Sequence, residues 1–184
     1  MKQVARICAL SLSAFLVTTS AYSLPTEDIP KSEPEYLAKV RTAAPRQIVE
    51  KSTITMKMPD GTTKTLQSGT NGFTCFIGSD GTPQCADDNA IAWMKAAAAK
   101  AEPPNKVGFV YMLDGDTGTN NEGAGMRGSH QHWVQTGPHV MILGPMVKDM
   151  PGYSRALDQT DPTQPYVMYP GTPYEHLMLP VAGK

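Results

Sequence analysis

His139-Val140-Met141-Ile142-Leu143 and His176-Leu177-Met178-Leu179 are the two stretches on which the reading of this chain turns. In an extended strand, residues i and i+2 share a face. His139 and Met141 therefore point one way and Val140 and Ile142 the other; His176 and Met178 are set against Leu177 and Leu179 in the same manner. The aliphatic set is expected to face the core, against a helix spanning residues 87–101, and the His and Met side chains to share the opposite side.

Other short runs bounded by Gly or Pro repeat this alternation: residues 53–58, 63–66, 73–77, 107–113, 132–134 and 166–168. Residues 53–58 and 63–66 flank Pro59-Asp60-Gly61 and read as a hairpin. The helix of residues 87–101 begins with Asp87 and Asp88 at its positive end, repeats Ile91, Met94 and Ala98 on one face, and meets Pro103-Pro104. A shorter helix is expected from Ser32 to Val40. Together these elements predict an α+β domain, a mainly antiparallel sheet with one or two packed helices, with an all-β sandwich as the alternative.

Composition limits the function classes. Sixteen Lys+Arg against seventeen Asp+Glu give a formal net charge of −1, which argues against a nucleic-acid partner or a polybasic membrane anchor. Lys2 and Arg6, an uncharged apolar run from residue 7 to 17, and Ala21-Tyr22-Ser23 form the pattern of a secretory signal peptide over residues 1–23. The run is too short to span a bilayer, so no membrane span is expected after cleavage. Residues 24–44 read as an N-terminal arm carrying the short helix, and 45–184 as a single globular domain, periplasmic or secreted. Cys8 falls within the leader. Cys75 and Cys85 remain, and an even pair in an oxidising compartment is expected to form a disulfide.

Gly69-Thr70-Asn71-Gly72-Phe73-Thr74-Cys75, Gly137-Pro138-His139-Val140-Met141-Ile142, Pro165-Tyr166-Val167-Met168 and Gly171-Thr172-Pro173-Tyr174-Glu175-His176-Leu177-Met178, with His132-Trp133-Val134, form a distinctive set. Over residues 45–182 the chain resembles a family of small exported bacterial proteins of unknown function. The resemblance implies export and one domain, and it supplies no catalytic residue.

The chemistry must come from the side chains. All four histidines fall between residues 130 and 176, and the chain holds eleven Met against four Phe. If the strands of His139 and His176 are neighbours, His139, Met141, His176 and Met178 could converge on one ion, with His132 as a further ligand. Imidazole with thioether suits copper, Cu(I) above all, better than the hard cations Mg or Ca. The structural alternative is that Met fills core gaps and each His bonds a strand-end carbonyl. Two other functions stay open: a metal-free module binding a small ligand or a protein, and a metal-dependent hydrolase built on His132, His139 and His176. The Gly-rich loop over residues 114–128 departs from the EF-hand pattern at Gly118, Thr119 and Gly125. No Gly-x-Ser-x-Gly, His-Glu-x-x-His or phosphate-loop motif is present.

Overall fold

Strand formation follows the period-two runs, and the computed structural model describes it over residues 29–123, 132–158 and 160–181. The expected leader, the expected segment 24–28, His130 and the end of the Gly-rich loop, 124–128, lie outside the described residues. In chain order the elements are α1 (Glu33–Val40), α2 (Arg46–Val49), β1 (Thr53–Lys57), β2 (Thr63–Gln67), β3 (Phe73–Ile77), β4 (Pro83–Asp87), α3 (Asp88–Ala98), β5 (Gly108–Met112), β6 (Thr119–Asn120), β7 (Trp133–Val134), β8 (His139–Leu143), β9 (Tyr166–Met168) and β10 (His176–Pro180). A 3-10 turn over Pro145–Asp149 follows β8.

Eight strands form one open sheet in the order β2-β1-β3-β4-β5-β8-β10-β9, and β6 pairs with β7 in a separate ribbon. All pairings in the large sheet are antiparallel except β1 with β3, which run parallel. The fold is thus α+β, with helices on both faces of the sheet. Tyr36 and Val40 of α1 and Val49 of α2 cover one face with Ile54, Cys75 and Ile77. Ala90 and Trp93 of α3 cover the other with Ala86, Val110, Met141 and Met178. Among the described residues no helix is long and apolar enough to cross a membrane.

Asp87 ties α3 to the sheet. One carboxylate oxygen accepts from the Ala90 N–H at 2.7 Å, capping the helix, and the other accepts from the Phe109 N–H of β5 at 3.1 Å. Close approach is possible because β5 begins with Gly108, where an added Cβ would lie 2.4 Å from the Ala90 nitrogen. The helix ends earlier than its alanine run and the later prolines predict. Lys100 adopts a left-handed φ of 53°, and the Ala101 N–H returns to the Ala96 carbonyl at 2.9 Å, closing the helix three residues before residue 101 is reached as helix.

Cys75 and Cys85 stand directly opposite each other on β3 and β4 and form a disulfide. Closing so short a loop stabilises by about 2–3 kcal/mol in the chain-entropy account.

One expectation is reversed. His139, Met141 and Leu143 face α3, whereas Ile142, Leu177 and Leu179 join Val147 and Val167 on the far side. Both sides of β8 and β10 are covered by apolar groups, so alternation shows which residues share a face and leaves open which face meets the helix.

Replacing Asp87 by Ala should lower stability by about 1–2 kcal/mol in urea unfolding without changing the m-value, since it removes the α3 cap and the acceptor for Phe109. Asp88→Ala, which leaves both bonds in place, should cost well under half of that. Equal effects from the two substitutions would contradict the role given to Asp87.

Candidate functional site

Strand register sets the geometry. Between β8 and β10, Met141 stands opposite Met178, His139 opposite Pro180 and His176 opposite Leu143. The segments His139-x-Met141 and His176-x-Met178 are therefore related by a local two-fold axis through the Met pair. The two histidines are offset by four residues along the strands, roughly 13 Å between their backbones. The outer neighbours add sulfur: Met112 of β5 stands opposite His139, and Met168 of β9 opposite His176. Facing residues on adjacent strands have Cβ atoms about 5 Å apart. These four methionines and both histidines line a cavity of about 230 Å³, together with Met94 and Trp93 of α3, Asp116 and Tyr169.

The tautomer of each imidazole follows from its bond. His139 Nδ1 lies 2.7 Å from the Gly137 carbonyl oxygen and His176 Nδ1 3.0 Å from that of Tyr174. A carbonyl only accepts, so Nδ1 carries the proton and Nε2 presents a lone pair in the neutral ring. His139 is fully buried and its Nε2 has no hydrogen-bond partner. Asp116 Oδ2 lies 4.0 Å from it, beyond hydrogen-bond distance. Asp116 is held in place by its other oxygen, which accepts from the Gly118 and Thr136 N–H groups at 2.9 Å each.

Burial controls the charge of these groups. It pushes the His139 pKa down, opposed by the Gly137 bond and by Asp116. It pushes the Asp116 carboxyl up, opposed by the Thr136 N–H, by His139 and by the Gly118 N–H. His176 is lowered furthest, to about 4, by burial and by His139, against the Tyr174 bond.

Aromatic rings enclose His176. Trp93 and Tyr169 meet it edge-on, with centroids 5.5 and 5.1 Å away. Tyr169 reaches this position through a left-handed φ of 57°, held by a 3.1 Å bond from its N–H to Asn121 Oδ1. A non-glycine residue in that region costs on the order of 1 kcal/mol, so the ring is placed against local strain. The Trp93 indole N–H is buried without a partner.

His132 is not part of this cluster. It lies just before β7, where Nδ1 pairs with Asp158 and Nε2 stands 3.5 Å from Glu122. The three-histidine arrangement considered from the sequence is therefore not assembled. In the Gly-rich loop, Asp116 and Asn120 accept backbone N–H groups instead of converging on a common point. Among the described residues no group of three or more His, Cys, Asp or Glu is arranged to hold a metal, so any ion here would need thioether donors.

Among the cavity residues, Met112, Met168, Trp93, Tyr169 and Asp116 were not read from the sequence as part of this site. For Met112 a signal existed: it falls with Val110 on the buried face of an alternating run, whereas Met168 ends a strand whose residues are all buried. Comparison with family models, with curated proteins and with solved structures finds no match to this chain.

The depressed His176 pKa has a consequence for stability. Unfolded histidine titrates near 6.5 and folded His176 near 4, so the unfolded chain binds more protons between these values. The stabilising preference for neutral His176 is present above pH 6.5 and is lost as pH falls toward 4. Urea midpoints across that window should decline more steeply for the native chain than for His176→Gln; parallel declines would contradict the assignment.

Proposed function

We propose that the domain is an exported copper-binding protein whose site is the Met and His cavity on the α3 side of the sheet. The observation that carries this reading is the buried, unpartnered Nε2 lone pair of His139, which faces Asp116 Oδ2 at 4.0 Å in a cavity lined by Met112, Met141 and Met178. A buried imidazole lone pair beside a carboxyl group is an arrangement that a cation satisfies. Their separation is about twice the usual 2.0–2.1 Å nitrogen or oxygen to metal distance.

The donor set selects the metal. Thioethers exclude Mg and Ca, which take oxygen, and favour copper among the ions that imidazole accepts. The imidazole bonds to the Gly137 and Tyr174 carbonyls are the outer contacts that orient a ligating histidine and leave its other nitrogen free. His139, Met141 and Met178 are the core of the proposed site, with Met112 and Asp116 beside His139. His176 and Met168 form the far end. Export rests on the leader read from the sequence, and the Cys75–Cys85 bridge is compatible with it. No activity is assigned, and the hydrolase alternative loses support with His132 placed apart.

A second reading is favoured by one atom. The Trp93 indole N–H is a buried donor that a cation cannot satisfy, and together with His139 Nε2 it would suit a small neutral ligand carrying both an acceptor and a donor.

Anaerobic titration of the purified domain with Cu(I) against a chromophoric chelator should show uptake of one ion. His139→Ala and the double substitution Met141→Ala with Met178→Ala should each weaken it at least about tenfold, a loss of roughly 1.4 kcal/mol or more. His132→Ala should leave it unchanged. Absence of uptake, or affinity indifferent to His139, would overturn the copper reading in favour of the metal-free one.

A further inference from the structure

β1 and β3 run parallel but pair only at Thr53 with Thr74 and at Ile54 with Cys75, after which they diverge. The Tyr36 hydroxyl occupies the fork. It donates to the Thr55 carbonyl at 2.8 Å and accepts from the Ile77 N–H at 2.9 Å, satisfying two groups that parallel pairing would otherwise use. Beyond Tyr36 the fork opens into a cleft of about 1050 Å³.

The register shows which backbone groups line it. The Met58 N–H bonds to the Thr62 carbonyl and the Gly78 N–H to the Thr82 carbonyl, so these residues turn their polar groups toward β2 and β4. Lys57 and Ile77, one position earlier, turn theirs the other way, so the Lys57 N–H and carbonyl and the Ile77 carbonyl face the cleft, while Tyr36 holds the Ile77 N–H. Side chains sort by face. Met56 and Ile77 lie on the α1 side, while Lys57 and, from α3, Lys95 lie on the other. Among the described residues no Asp or Glu lines the cleft and neither lysine is paired with a carboxylate.

We infer that this cleft is a docking slot for a short extended peptide segment in which acidic and apolar residues alternate. Such a segment adds itself to the sheet as a strand, exchanging main-chain hydrogen bonds with Lys57 on one side and donating to the Ile77 carbonyl on the other. Its period of two places apolar side chains against Met56 and Ile77 and carboxylates beside Lys57 and Lys95. Unpaired strand edges supply the affinity, and the lysines select the charge. The slot lies toward the opposite end of the sheet from the Met and His cavity and does not depend on the copper reading.

The test uses acetyl-Glu-Val-Glu-Val-Glu-amide as the probe, with binding followed by backbone amide shifts of the full domain. Saturable binding is expected, with the largest shifts at Lys57 and at Ile77 to Ser79. The charge-reversed probe Lys-Val-Lys-Val-Lys should bind at least tenfold more weakly. Lys95→Glu, on an exposed helix position, should weaken the acidic probe several-fold. Lys57→Pro removes a cleft-facing N–H and should do the same, with its unfolding midpoint confirming that the domain is intact. Failure of the acidic probe to bind, equal binding of both probes, or binding of oleate at the cleft in place of the peptide would overturn the proposal.

Discussion

Burial keeps two imidazoles neutral inside a sheet, and each satisfies its Nδ1–H on a carbonyl two residues upstream, His139 on Gly137 and His176 on Tyr174. A buried imidazole without such a bond would leave a polar group unmade at a cost of about 1–3 kcal/mol. Here one nitrogen of each ring is satisfied locally, and the Nε2 of His139 is left without a partner inside the protein. The repeated His-x-Met spacing then does the rest. It places both rings and both thioethers on one face of neighbouring antiparallel strands, under α3.

The surrounding structure is arranged to keep that face closed. Gly108 lets α3 lie close to β5, Asp87 fixes where the helix begins, and the strained Tyr169 packs against His176. On the reverse side Val147, Val167 and Leu177 cover the same strands, so β8 and β10 are buried from both directions. Burial on both faces lowers the effective dielectric around His139 and Asp116, and this is what moves their pKa values toward the neutral forms.

Much of the fold was legible in the sequence. The hairpin of β1 and β2, the strand Phe73–Ile77 and the shared face within each His-x-Met strand followed from alternation and turn residues; that those two strands are neighbours was only a condition, which the strand order meets. β4 was missed because Pro83-Gln84-Cys85-Ala86-Asp87 carries no β-branched or aromatic residue; its place is set by β3 and by the disulfide. The end of α3 was misplaced because a left-handed Lys100 stops it before the prolines can. The face turned toward the helix was also misread, since hydrophobicity ranks Val, Ile and Leu above Met and His, yet paired and tautomerically fixed histidines can be buried as completely. Met168 and Trp93 joined the site through strand order and helix docking, which are non-local and leave no mark in a local pattern, whereas the alternation of β5 already marks Met112 as buried.

The central claim is that His139 and the flanking thioethers form one donor set for copper. X-ray absorption at the copper edge on the loaded domain addresses it directly. The account predicts a first coordination shell containing both sulfur and imidazole nitrogen, with the imidazole contribution reduced in His139→Ala and the sulfur contribution reduced when Met141 and Met178 are replaced by Leu. A shell of nitrogen and oxygen alone, unchanged by those substitutions, would contradict it.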